Sequence, residues 1–376
     1  MQSRRPLIWA VAIVGASVAV AGVVLATVAG AAPHHTASEA VSLSYTIPTV
    51  SPASSNLADG LSLGVSIGGG PSTDMEVDTG SLGVVVARSA LGPDAVDTGK
   101  TGFIEYTSSG KILSGEYFTA PVSFQRAQRS AVVTVPIRVL GVTASSCASG
   151  YPACVPDSDV SKVGMLGVGY SEYARTDSPA PAAADNPFLQ LAAMRDGRVQ
   201  AGYVITRGGV TLGVAPQDLA SFHTVRLKMM PPPSGSGAEI WSMPGCFAFP
   251  DHGDRPHCGS VLFDTGISRM IVGLPDAERS TAIATATATA TASASASATA
   301  IPNGTRIRVG ITDLSHPAFD YTISIGDQGD AVAPQGNPAA SWAHDTAFVN
   351  TGRELLAAYD YVYDAASQQV GFRSDS

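Results

Sequence analysis

Met75-Glu76-Val77-Asp78-Thr79-Gly80-Ser81 and Val261-Leu262-Phe263-Asp264-Thr265-Gly266-Ile267-Ser268 are two versions of one pattern. In each, an apolar run delivers an aspartate into a tight Thr-Gly turn. A second apolar run follows, Val84 to Val86 in one and Met270 to Val272 in the other. The pattern reads as strand, turn, strand with a carboxylate at the apex, made twice. Two such carboxylates held face to face suit the activation of a water molecule. A third triplet, Asp97-Thr98-Gly99, follows Gly92-Pro93 and runs into Lys100-Thr101-Gly102 with no apolar strand behind it, so it is expected to be a solvated turn.

The chain of 376 residues can hold one large domain or two of ordinary size, with ample apolar content for a core. Only 22 Lys and Arg stand against 31 Asp and Glu, a formal charge of −9, which does not support a basic surface for nucleic acid. Many Gly, Pro, Ser and Thr residues separate short Val/Ile-rich runs, the composition of a mostly β protein.

Arg4-Arg5 precede an uncharged stretch from Pro6 to Pro33 with a cleavage-like Ala29-Gly30-Ala31. Residues 1–32 therefore read as a signal peptide or as an uncleaved membrane anchor, since the run is long enough to cross a bilayer. The paired arginines also permit twin-arginine export. Either way the body is expected outside the cytoplasm, secreted or anchored, with the membrane as a partner only through this segment. The cysteines suit that location: Cys147 and Cys154 lie close together, as do Cys246 and Cys258, and two local disulfides are expected. His252 and His257 inside the second loop make zinc conceivable, but the spacing is no recognised ligand ladder, and the expectation is a disulfide and no metal.

Residues 33–59 are polar and lack Lys and Arg, and read as a spacer or as an entering edge strand. Leu61 to Gly68 alternates like a half-buried strand. It also spells G-x-S-x-G at Gly64, Ser66 and Gly68, but Gly69-Gly70-Pro71 leads into another strand where that nucleophile motif needs a helix. The Thr/Ser-Ala run at 282–300 reads as a low-complexity insertion, disordered or loosely helical. Pro231 to Gly237 reads as a surface loop.

With the motifs placed, the chain resembles the pepsin-like aspartic proteases over roughly residues 60 to 374, as an exported or membrane-anchored member of bacterial type. Val65 to Ser81 is similar to the family's first strand, glycine turn and first catalytic loop. Val163-Gly-Met-Leu-Gly-Val-Gly169 resembles the strand passing behind that loop, and Asn186-Pro-Phe-Leu-Gln-Leu191 the helix after it. Ala347 to Phe372 resembles the corresponding end of the second lobe. The implied fold is all-β and bilobal, with a central cleft between two related β lobes at 60–215 and 216–376.

The resemblance implies a catalytic dyad of Asp78 and Asp264 sharing one proton, as the two carboxyls of aspartic proteases do. Thr79 and Thr265 would tie the two loops together. Gly80 and Gly266 would bring backbone close to the carboxylates, and Ser81 would hydrogen-bond Asp78. Ile267 departs from the pattern by replacing a hydroxyl residue. That substitution removes a hydrogen bond from Asp264 and leaves room for a higher pH optimum. Phe103 to Gly115 resembles the flap, a hairpin with Tyr106 as its aromatic and Ser108, Ser109 and Gly110 at its tip. No cofactor is expected, the partner is a peptide or protein substrate with apolar side chains beside the scissile bond, and the state is a monomer. The missing basic prosegment implies activity as exported. The alternative is a catalytically weak or inactive scaffold that binds peptides or proteins. Gly99-Lys100-Thr101 lacks the first glycine of a P-loop, and His223, His316 and His344 stand without a nucleophile frame.

Overall fold

The Val/Ile-rich runs become strands, and how each is patterned follows from how it is covered. Leu82–Ala87, with no polar side chain, is buried along its whole length, as a strand covered on both faces must be. Phe319–Ser324 instead alternates, turning Phe319, Tyr321 and Ile323 to the core. In the computed structural model the described residues are 43–50, 57–126, 129–171, 175–176, 182–230, 240–252, 255–274, 300–334, 340–342 and 347–375. Among them the α-helices are single turns, Ala192–Arg195 and Pro216–Leu219. The protein is all-β. The expected signal or anchor (1–32), most of the 282–300 insertion and the Pro231–Gly237 loop lie outside the described residues.

A ten-stranded sheet carries the first motif. Its spatial order is Arg175–Thr176, Val96–Tyr106, Lys111–Ala120, Ile137–Cys147, Leu82–Ala87, Gly164–Val168, Thr73–Asp78, Ser62–Ile67, Val122–Arg126 and Arg129–Val133. An eight-stranded sheet carries the second, in the order Phe319–Ser324, Arg306–Ile311, Ile240–Ala248, His257–Leu262, Phe348–Asn350, Met270–Gly273 and Ala340–Trp342, with Lys228–Met230 added on Ile240–Ala248.

One crossing occurs in both sheets. Gly164–Val168 runs parallel to Thr73–Asp78 and antiparallel to Leu82–Ala87. Phe348–Asn350 runs parallel to His257–Leu262 and antiparallel to Met270–Gly273. The two arms of each Asp-Thr-Gly turn are therefore not paired with each other, because a third strand separates them. A simple hairpin would bury the turn's ends in mutual hydrogen bonds. The wedge strand instead holds the turn open, with its aspartate at the end of a strand fixed on both sides.

A six-stranded antiparallel sheet runs Tyr45–Pro48, Gly209–Leu212, Gly202–Thr206, Tyr359–Asp364, Gln369–Ser374 and His223–Arg226. It draws strands from both sides of residue 215, so the segments read as separate lobes share it. Within 33–59, Tyr45–Pro48 is an edge strand with Ile47 fully buried, and Leu57–Asp59 forms a 3-10 turn. Over these residues the entering-strand reading holds and the spacer reading is corrected. Asn186 to Leu191 is likewise corrected from a helix to a 3-10 turn at Pro187–Leu189, capped by Asn186 Oδ1 accepting from Phe188 N at 2.9 Å.

An aromatic cluster underlies the motifs. Phe263, immediately before Asp264, packs against Tyr361 and Phe372 with ring centroids 4.7 and 5.8 Å apart. Tyr203 joins Phe188, Tyr361 and Tyr363 in the same layer. Tyr203 donates its hydroxyl to Val168 O, at the end of the first wedge strand. Large rings with one satisfied polar atom give the turns a rigid floor.

Candidate active site

The two Asp-Thr-Gly turns meet through their threonines. Thr79 N donates to Thr265 Oγ1 at 3.1 Å, and Thr265 N donates to Thr79 Oγ1 at 3.0 Å. Each hydroxyl passes its own proton to the strand before the opposite turn, Thr79 Oγ1 to Phe263 O at 2.6 Å and Thr265 Oγ1 to Val77 O at 2.5 Å. Both N–H groups and both hydroxyls of this knot are satisfied, and both threonines are buried. At about 1 kcal/mol net for each bond, the four bonds matter chiefly because they set the distance between the two loops.

Glycine is required for the same closeness. A Cβ on Gly80 would lie 2.5 Å from Asp264 Cγ, and one on Gly266 would lie 2.5 Å from Asp78 Oδ1. Each turn's glycine thus backs the other turn's carboxylate. Each also serves its own: Gly80 N donates to Asp78 Oδ1 at 2.7 Å, and Gly266 N to Asp264 Oδ1 at 2.9 Å. The second carboxylate oxygens are bound by different groups. Ser81 Oγ donates to Asp78 Oδ2 at 2.5 Å, and Asn350 Nδ2 donates to Asp264 Oδ2 at 2.6 Å. The hydrogen bond expected to be missing at Ile267 is therefore supplied from the second wedge strand, a correction to the reading of that loop. Asn350 is itself oriented by Gly352 N, which donates to its Oδ1 at 3.0 Å.

Asp78 and Asp264 are 4% and 6% exposed, and their carboxyl groups are within hydrogen-bonding reach of one another. Burial, and for Asp78 the neighbouring Asp264 charge, push Asp78 well above the usual carboxylate range. Asp264 is also raised, by burial, while Asn350 pulls it back down. Two like charges this close favour one shared proton, which belongs to the pair.

A partly buried ion pair lies beside them. Arg353 Nη2 is 3.0 Å from Glu76 Oε1, Arg353 Nη1 donates to Leu57 O at 3.4 Å, and Arg353 N donates to Ile267 O at 2.9 Å. Glu76 is on the strand that delivers Asp78, so this pair joins the first motif strand to the second motif loop. Gly60, at φ +82°, packs against both partners; a Cβ there would sit 2.4 Å from Arg353 Nη1. The Arg353 charge favours ionised Asp264, and burial raises Glu76. Sequence reading missed Asn350, Arg353 and Glu76. The available signals were Glu76 between the two apolar residues that precede Asp78 and the polar Asn-Thr-Gly-Arg end of the second wedge.

Val96–Tyr106 and Lys111–Ala120 form a hairpin with Ser108, Ser109 and Gly110 in its turn. Ser109 N and Gly110 N both donate to Tyr106 O, at 3.0 and 2.7 Å. Tyr106 packs beside a small apolar group of Val85, Ile104, Leu113, Leu140 and Val142. Tyr151 supports the tip from behind: its hydroxyl donates to Thr107 O at 2.8 Å, and a Cβ on Gly110 would overlap its ring. Tyr151 lies in the loop closed by the Cys147–Cys154 disulfide, and Cys246 is bonded to Cys258 directly opposite on paired strands. From the other motif loop, Arg269 Nη2 donates to Ser108 O at the hairpin tip.

The third triplet shows what the local motif does alone. Gly99 N donates to Asp97 Oδ1 at 2.7 Å, the same bond as at Gly80, yet the residues are exposed and form a bulge within a strand, where a solvated turn was expected. Among the described residues nothing lies within 4 Å of a Cβ placed on Gly99. Ser66 sits in strand Ser62–Ile67 and donates to Gly70 O at 2.6 Å. His223 lies on an edge strand, His316 is in an exposed turn, and His257 packs against Phe247; His344 and the His252 side chain lie outside the described residues.

No protein-family model and no curated protein matches the chain. Among solved structures, an aspartic proteinase from Irpex lacteus matches with a TM-score of 0.53 at 14% sequence identity, covering 89% of this chain and 98% of that one. The chain has the bilobal all-β pepsin-like fold. At that identity the likeness is one of fold.

Proposed function

We propose that the protein is an aspartic endopeptidase whose dyad is Asp78 and Asp264. The observation that carries this reading is the mutual closure of the two turns: each carboxylate rests against the other turn's glycine, so the pair is built as one unit. The ionised member takes a proton from a water molecule as its oxygen attacks a peptide carbonyl, and the protonated member donates to the carbonyl oxygen. The resulting tetrahedral diol collapses as a proton passes to the leaving nitrogen, restoring one proton on the pair. The chain's own residues account for each transfer.

The substrate is an extended peptide bound in the cleft, partly through backbone hydrogen bonds. The two disulfides fit an oxidising, extracytoplasmic location. The test is hydrolysis of a mixed peptide library by the protein beside Asp78→Asn and Asp264→Asn. Cleavage by the parent, lost in both variants, supports the reading. Folded, disulfide-bonded protein that cleaves nothing overturns it in favour of a peptide-binding scaffold.

A further inference from the structure

Arg269 lies five residues beyond Asp264, on the same loop, and crosses to the hairpin of the other sheet to donate to Ser108 O. A guanidinium carries five donors in a planar fork suited to a carboxylate. Among the described residues, Ser108 O is its one hydrogen-bond acceptor, and no Asp or Glu forms an ion pair with it. Four other buried or half-exposed arginines hold carboxylates: Arg88 holds Glu116, Arg138 holds Asp185, Arg353 holds Glu76 and Arg373 holds Asp360.

A half-buried cation with no counter-charge among the described residues is costly to keep. Burial lowers the Arg269 guanidinium below its ordinary value, while the Tyr151 hydroxyl acts weakly the other way. A neutral carbonyl at a hairpin tip compensates only part of that cost. The position supplies the rest of the argument, because Arg269 joins the loop of Asp264 to the turn of the hairpin that carries Tyr106, and under the peptidase reading the peptide lies between that turn and the dyad.

We infer that Arg269 is a specificity residue that pairs with a carboxylate side chain of the bound peptide, making this an endopeptidase for substrates with Asp or Glu under the hairpin tip. This rests on the peptidase reading and changes the apolar preference expected from sequence resemblance at one subsite. The bond to Ser108 then has a second use, holding the fork in place before substrate arrives.

The experiment uses matched fluorescent peptides that differ by Glu against Gln at one position, scanned across the site. Hydrolysis by the full chain is measured together with binding to the Asp78→Asn variant. The expected result is one position where Glu improves kcat/KM and affinity by at least about tenfold, mostly through KM. Arg269→Met should remove that preference, Arg269→Lys should retain part of it, and Arg269→Glu should transfer it to a Lys-bearing peptide. Equal treatment of Glu and Gln peptides by the parent, in cleavage and in binding, overturns the inference while leaving the peptidase reading intact. An Arg269→Met variant that changes both peptides equally also overturns it, assigning the residue to holding the hairpin. If nothing is hydrolysed but the Asp78→Asn variant binds the Glu peptide through Arg269, the peptidase reading fails and the carboxylate site stands.

Discussion

Asn350 Nδ2 donates to Asp264 Oδ2 at 2.6 Å, giving the second carboxylate the same count of local donors that Gly80 and Ser81 give to Asp78. The donor comes from a wedge strand in one half and from the turn itself in the other. Ile267 is tolerated because position 267 no longer has to supply a hydroxyl.

Asn350→Leu should remove a donor to the ionised form and raise Asp264 further. The acidic limb of activity then moves to higher pH, and kcat/KM falls about tenfold to hundredfold, the scale of one hydrogen bond to a charged group. Adding Ile267→Thr to that variant should recover part of the loss. A pH-rate profile unchanged in Asn350→Leu would contradict the assignment.

Glu76 and Arg353 should act in opposite directions. Arg353→Met leaves the half-buried Glu76 near Asp264 without its cation, costing about 1 to 3 kcal/mol of stability and moving the acidic limb upward. Glu76→Gln leaves the Arg353 charge uncompensated beside Asp264 and should move the limb downward. Denaturant midpoints and pH-rate profiles of the two variants check both signs.

Thr265→Val preserves shape but strands Val77 O and Thr79 N, each of which loses its partner. Leaving two buried groups unpaired predicts a loss of about 2 to 4 kcal/mol, whereas Thr265→Ser should be nearly neutral. Thermal melting of both variants separates the hydroxyl from the methyl contribution.

The raised carboxyls also set how stability changes with pH. Where folding raises a carboxyl, its stabilising contribution is fully present below the unfolded value, about 3.9, and is lost as pH rises through the folded value. Asp78 and Asp264 are both raised, so the pair contributes a fall in Tm from mildly acidic toward neutral pH. Asp78→Asn, which stays neutral, should flatten that fall. The same slope in parent and variant would contradict the burial argument.

Much of the arrangement was legible because it is local. Val77 and Phe263 before an Asp-Thr-Gly turn follow from pattern and turn chemistry, while Val163 to Gly169 as the strand behind the first loop comes from the family resemblance. Cys246 and Cys258 also read correctly as a short-range pair. What was not legible depends on long-range placement. Nothing near Asn350 in sequence says that its amide reaches Asp264, and Glu76 and Arg353 meet only because the two halves close on each other. Tyr45–Pro48 read as either spacer or strand because four residues of alternation are too few; its partner Gly209–Leu212 decides the matter. The Pro187 turn misled in the other direction, since the helix expected there comes from the family resemblance and the chain makes only a 3-10 turn at Pro187–Leu189.

The most direct test of the shared-proton dyad is kcat/KM for one good peptide measured from pH 3 to 8 in the parent, Asp78→Asn and Asp264→Asn. The account predicts a bell in the parent, one limb for gaining and one for losing the single shared proton, and no hydrolysis at any pH in either variant. Hydrolysis persisting in either variant, or a parent profile without a falling limb at high pH, would contradict it.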